Sequence, residues 1–283
     1  MTVTLSATAS GALLSPVVIR LGAVGDMINV SALVHFLRLR YGRPCTVIGV
    51  GPWCVPVFDG NPDVVGIWAL DRHRPFLLDA HGWHAVLTLR RSGPAPIYVC
   101  DTDRHLRRVQ RLLRVSGVER SRCVFLADDP RRNDGHYLDA LLRFGAATPA
   151  ALANSNFPVP AASDVGPRLP QQLEAERSEL KRWLTGCGGI GRPLILVQPG
   201  NRRTLSSRRA RHRKLGRDAK AWPAERWVEL LRRLHAREPS ALLVLCGAPA
   251  EAPMLLELQA AVALAAVVQV AAWPLRRFFP VKP

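Results

Sequence analysis

The chain has 283 residues, of which 48% are hydrophobic, and a formal net charge of +17 at pH 7. No run approaches the ~20 uninterrupted apolar residues that span a bilayer. The six cysteines are widely scattered, with no Cys-x-x-Cys or Cys/His cluster, which excludes a zinc site built on that spacing and predicts buried free thiols. The charge predicts attraction to something anionic: nucleic acid, a phosphorylated glycolipid or a membrane face.

Residues 1–15, MTVTLSATASGALLS, carry no basic segment and only a weak apolar patch. They read as a flexible lead-in rather than a secretory signal, and the protein as cytoplasmic. A strand, PVVIRL (16–21), then breaks into Gly22-Ala23-Val24-Gly25-Asp26 and continues as a helix over 27–41. Gly22 and Gly25 allow a tight turn, and in α/β folds a turn at the carboxyl end of a parallel strand is where ligands bind. The spacing is not G-x-G-x-x-G, so a nicotinamide cofactor is not indicated. Asp26 has two compatible readings. It caps the helix, a role worth about 0.5–2 kcal/mol, or it serves as a catalytic carboxylate. Arg20 and Asn29 flank the turn.

Further strands are expected at CTVIGV (45–50), VVGIWAL (64–70), HAVLTLR (84–90), PIYVC (96–100) and CVFLA (123–127). Helical patterns lie near 52–59 and over 103–117 and 134–145. This alternation predicts a mainly parallel, doubly wound sheet. Residues 148–170, rich in Pro, Ala and Ser, read as a linker between a first domain at 16–147 and a second at 171–283.

The second domain opens on a charged helix (171–186), followed by a strand (193–200), a helix (223–236), a strand (241–247), a helix (251–263) and a strand (266–270). That is half of a doubly wound domain, so the domain reads as incomplete. Between Gly200 and Lys220 runs a basic loop that reads either as solvated or as anion-binding. Lys220-Ala221-Trp222-Pro223 then opens a helix, with Pro223 at its first turn. A lysine beside a helix N-terminus supplies charge and N–H donors suited to phosphate. His35, His105, His136 and His212 form no ligand constellation, and no metal role is assigned.

RLGAVGD, FDGNPDVVGIWAL, LVQPG followed by KAWPAERWVELLRRL, and LLVLCGAPAE, in this order from residue 17 onward, resemble glycosyltransferase family 9, the lipopolysaccharide heptosyltransferases. The resemblance implies an α/β fold of GT-B type, with two Rossmann-like doubly wound domains, the first on the acceptor side and the second on the donor side. It implies inverting, metal-independent transfer of heptose from ADP-heptose to the lipopolysaccharide core, with no cofactor. The partners would be a nucleotide-sugar and an anionic glycolipid at the cytoplasmic face of the inner membrane, with no nucleic acid. Asp26 falls on the family's Gly-Asp carboxylate, the general base, beside the acceptor-side loop of Gly22 and Gly25. Lys220 falls on the lysine that neutralises donor phosphate, with Gly200 on the same donor side. The family's Asp-(Ser/Thr)-Gly-Pro-x-His turn has no counterpart in this sequence, and the chain reads as truncated at its C-terminus. Two rival readings stand beside this one: a basic nucleic-acid-binding protein and a non-catalytic glycosyltransferase remnant.

Overall fold

The computed structural model describes residues 15–72, 74–102, 105–161, 165–170, 174–200 and 222–270. They form two compact units, one reaching residue 170 and the other starting at 174. Lys220 and the rest of 201–221 lie outside the described residues.

The first unit is a parallel five-stranded sheet in the order β3-β2-β1-β4-β5, built from β1 (Val17–Ile19), β2 (Cys45–Val50), β3 (Val64–Leu70), β4 (Ile97–Val99) and β5 (Cys123–Phe125). β1 is central, with Val18 beside both Val47 and Tyr98, and all three of its residues are buried. Strands covered on both faces need continuous apolar runs rather than alternation, and VVI, CTVIGV and IYV supply them. Helices α1 (Val24–Tyr41), the short α2 (Cys54–Phe58) and α5 (Tyr137–Ala146) pack together, α1 touching both of the others. α1 ends at Gly42, whose left-handed φ of 66° lets its N–H reach Arg38 O at 2.9 Å.

Helices α3 (Ala80–Arg91) and α4 (Leu106–Val115) share one core with the sheet, in which Ala85, Val86, Leu89, Val109, Leu112 and Leu113 meet Ile19, Ile48 and Val99. The expected strand at 84–90 is therefore a helix. Its buried residues, Gly82, Ala85, Val86 and Leu89, follow helical spacing, and the short apolar run within it satisfied either period. Asp79 caps the helix by accepting the His81 N–H at 3.1 Å, a signal that the strand reading passed over.

The proline-rich stretch begins against the first unit. Arg40 of α1 donates to Ala147 O (2.9 Å) and Thr148 Oγ1 (2.6 Å), and Phe157 packs on Tyr41 with centroids 4.7 Å apart. Arg168 donates its backbone N–H to Ser31 Oγ (2.9 Å) and accepts from Asn61 Nδ2 (3.0 Å), while its guanidinium lies 3.6 Å from Asp63. Asp63 also meets His35 Nδ1 at 2.9 Å.

The second unit contains α6 (Glu174–Gly186), β6 (Leu194–Val197), α7 (Ala224–Arg237), β7 (Leu242–Cys246), α8 (Ala252–Val262) and β8 (Val267–Val270), with the parallel strand order β6-β7-β8. One core joins Leu231 of α7 and Leu255, Leu258 and Val262 of α8 to Val197, Leu243 and Leu245. On the opposite face Leu242 and Val244 meet Trp183 of α6. Among the described residues no helix is long and apolar enough to cross a membrane.

Candidate active site

Asp26 is the third residue of α1, and the turn ahead of it is a local construction. Ala23, the N-cap, has no side-chain acceptor, so Asp26 reaches back and its Oδ2 accepts the Ala23 N–H at 2.8 Å. This is the returning half of a capping box. Its Oδ1 lies 3.2 Å from Arg20 Nη2, and the side chain keeps 35% of its surface exposed. Capping and availability to a substrate thus coexist in one carboxylate. The positive end of the α1 dipole and the Arg20 guanidinium both place positive potential on it. Gly22 is required by close approach, because a Cβ there would stand 2.5 Å from Asp26 Oδ2 and 2.8 Å from Arg20 Nε. Gly25 lies in the first turn of α1, and a Cβ there would meet nothing within 4 Å.

Arg20 is the hub. Because β1 pairs with β4, the residues that follow the two strands come together at their carboxyl ends. Arg20 Nη1 donates to Cys100 O at 2.8 Å and lies 3.6 Å from Asp101 Oδ1. Asp101 is fully buried and accepts the Leu21 N–H at 2.9 Å. Burial opposes the Arg20 charge, yet Tyr137, Asp101 and Asp26 outweigh it and its pKa stands above the ordinary value. The Tyr137 ring lies 6.0 Å from the guanidinium carbon, and burial pushes its phenol up. Arg20 Nε and the Tyr137 hydroxyl are both buried, with no hydrogen-bond partner among the described residues. Trp53 flanks the turn, donating its indole N–H to Gly22 O at 3.1 Å. Asn29 stands one turn along α1 and is half-buried.

Chemically, the cluster offers a partly exposed carboxylate able to accept a proton, oriented by an arginine that is itself held by Asp101 and Cys100 O. The sequence singled out Asp26, Gly22 and Arg20. It gave no pointer to Asp101 or Tyr137, which arrive only through strand order and the return of α5.

In the second unit Gly200 and Gly247 pack against Glu251, which is buried and accepts the Ala248 N–H at 2.8 Å through Oε2. A Cβ at Gly200 would collide with Glu251 Oε1, and one at Gly247 would stand 3.0 Å from Oε2. Gly200 therefore has a packing reason to be glycine, beyond its place on the expected donor side. Trp222 and Trp227 lie 5.1 Å apart at the start of α7. Among the described residues no group of three or more His, Cys, Asp or Glu side chains is placed to hold a metal ion. Cys45, Cys54, Cys100 and Cys123 are buried free thiols, while Cys187 and Cys246 are half-buried.

No family model matches the chain, and no curated protein matches it. Solved structures do. The glycosyl transferase family 9 structure from Veillonella parvula DSM 2008 aligns with a TM-score of 0.59 at 16% identity, over 90% of this chain and 69% of that one. The E. coli ADP-heptose lps heptosyltransferase II aligns with a TM-score of 0.56 at 20% identity, over 93% of this chain and 75% of that one. E. coli heptosyltransferase WaaC with ADP aligns with a TM-score of 0.55 at 14% identity, over 93% of this chain and 76% of that one. At these identities the likeness is one of fold. The chain has the α/β fold of GT-B type that these proteins share, and the expected resemblance to glycosyltransferase family 9 is borne out at that level.

Proposed function

We propose that this chain is a glycosyltransferase that moves a sugar from a nucleotide-sugar donor to a hydroxyl of an anionic glycolipid. In this reading Asp26 takes the acceptor proton as the hydroxyl oxygen attacks the anomeric carbon from the face opposite the leaving group, so that the configuration inverts. The bond to the diphosphate breaks, the nucleoside diphosphate leaves with the electron pair, and Lys220 neutralises the charge that develops on it. Gly22 leaves room for the carboxylate against its backbone donor, and Arg20 positions it from the buried side. No metal takes part.

The observation that carries this reading is the Asp26 carboxylate. It is held at a strand end and a helix N-terminus by Ala23 and Arg20 yet remains one-third exposed, in a fold matched by heptosyltransferase structures. The neighbours favour a particular sugar and partner: one is an ADP-heptose lps heptosyltransferase and another was solved with ADP. Heptose, an ADP-sugar donor and a lipopolysaccharide core acceptor are accordingly the substrates proposed. The work would be done at the cytoplasmic face of the inner membrane.

The test is transfer from ADP-heptose to a deacylated core acceptor, followed by mass spectrometry. Asp26→Asn should lower transfer about 10²–10⁴-fold while ADP binding, measured by calorimetry, stays unchanged. Lys220→Ala should weaken ADP binding. A folded chain that binds neither ADP nor ADP-heptose, or one whose transfer is indifferent to Asp26→Asn, would overturn the proposal.

A further inference from the structure

α3 and α4 cover the same face of the first sheet, and their outward residues are unusual. Neither helix contains an acidic residue. On α4, Arg107, Arg111 and Arg114 fall at i, i+4 and i+7, all exposed along one stripe. α3 ends in Arg90 and Arg91, both exposed. Among the described residues none of these five arginines has an ion-pair partner. Beside them stand three large apolar side chains on the outside of the protein: Leu78 (74% exposed), Trp83 (46%) and Leu87 (39%), the last two one helical turn apart. The parts are tied into one surface. Arg108 of α4 donates to Asp71 O (2.7 Å) and Arg74 O (3.0 Å) in the segment that leads to Leu78, and Arg90 donates to Val115 O at the end of α4 (3.0 Å). Among the described residues, two acids in the segment leading to α3 are engaged with backbone: Asp79 accepts the Asp71 and His81 N–H groups, and Asp71 accepts that of Arg74.

We propose that this α3/α4 face docks on an anionic lipid bilayer, with Leu78, Trp83 and Leu87 entering the headgroup boundary and the five arginines pairing with lipid phosphates. Single exposed apolar residues are ordinary, but a cluster rimmed by cations marks an interaction site. Trp with leucines suits the interface, where an amphipathic ring lies between water and acyl chains. Unpaired basic residues near a surface each add attraction to anionic lipid, an attraction that salt screens. Nucleic acid is the lesser fit, because the cations border a leucine-rich patch rather than aromatic platforms for bases. The inference rests on this surface alone and can fail while the transferase reading stands.

The experiment is co-sedimentation of the full chain with vesicles of phosphatidylcholine containing about one-third phosphatidylglycerol, the composition being a choice that sets surface charge. Binding should be strong at low salt, fall as salt rises, and vanish on pure phosphatidylcholine. The variant R107E/R111E/R114E should bind at least tenfold more weakly. The control R232E/R233E/R237E makes the same change in net charge on exposed positions of α7 and should bind as the parent does. With brominated lipids, tryptophan quenching seen in the parent should be largely lost in Trp83→Phe, a readout that also serves if the charge reversals fail to fold. Three results would overturn the proposal: equal weakening by both triple variants, quenching that survives Trp83→Phe, or tight oligonucleotide binding by a chain that ignores anionic vesicles.

Discussion

The first unit's Gly22-Ala23-Val24-Gly25-Asp26 and the second unit's Gly247-Ala248-Pro249-Ala250-Glu251 are the same device, a glycine at the end of a strand with an acid four residues on that turns back to cap the helix start. In each the carboxylate accepts the N–H of the alanine three residues earlier at 2.8 Å, and in each a Cβ on the glycine would press against that carboxylate. They differ in what surrounds the acid. Asp26 is partly open and faces Arg20, whereas Glu251 is buried between Gly200 and Gly247. The same local hydrogen bond thus leaves one carboxylate accessible to a ligand and commits the other to packing. A cap is evidence of a helix start, and only exposure says what else the group can do.

The sharpest way to break the comparison is to neutralise both acids without changing their shape. Asp26→Asn should lower transfer about 10²–10⁴-fold and leave the urea midpoint nearly in place, since the amide oxygen can still accept the Ala23 N–H. Glu251→Gln measured in the same two assays should move the urea midpoint more than Asp26→Asn does. A second pair of variants adds one methyl to each glycine. Gly200→Ala and Gly22→Ala should each destabilise their unit by about 1–3 kcal/mol through overpacking, read by denaturant titration. Gly200→Ala should cost more, because Glu251 is buried and has less room to move. Truncation comes next: Glu251→Ala should cost about 1–3 kcal/mol, against about 0.5–1 kcal/mol for the partly exposed Asp26→Ala.

The smallest effect is chemical. Burial raises the Cys54 thiol to about 12 and the Cys123 thiol to about 11. Native alkylation at pH 8, followed by peptide mapping, should therefore label Cys187 and Cys246 well before the four buried thiols. The unfolded chain releases these protons at lower pH than the folded one, so their contribution to stability is complete near neutrality and is lost as the pH rises through the alkaline range.

Much of the fold was legible because its signals are local. The β-branched runs at 45–50 and 64–70 and the helix starting near Asp26 needed only neighbouring residues to be recognised. The stretch at 84–90 reads as a strand in sequence because a short apolar run fits either period, and the deciding facts, the Asp79 cap and the approach of Gly82 to Phe76 O, lie just outside it. The difference matters, since the outer face of the helix carries Trp83, Leu87, Arg90 and Arg91. The candidate site was half legible. Asp26 and Arg20 are six residues apart and visible together, but Asp101 and Tyr137 reach Arg20 from far along the chain.

By itself the sequence determined most of the strands and helices, the helix over 84–90 excepted, and where Asp26 stands at the start of α1. Those choices rest on side-chain periodicity and on a hydrogen bond between residues three apart, both of which are written in adjacent letters. Tertiary structure alone decided that β1 lies between β2 and β4, and with it that Arg20 is buried against Cys100 O, Asp101 and Tyr137 while Asp26 stays at the surface. Strand order is set by the burial of whole faces against one another, a collective quantity that no short stretch of chain contains.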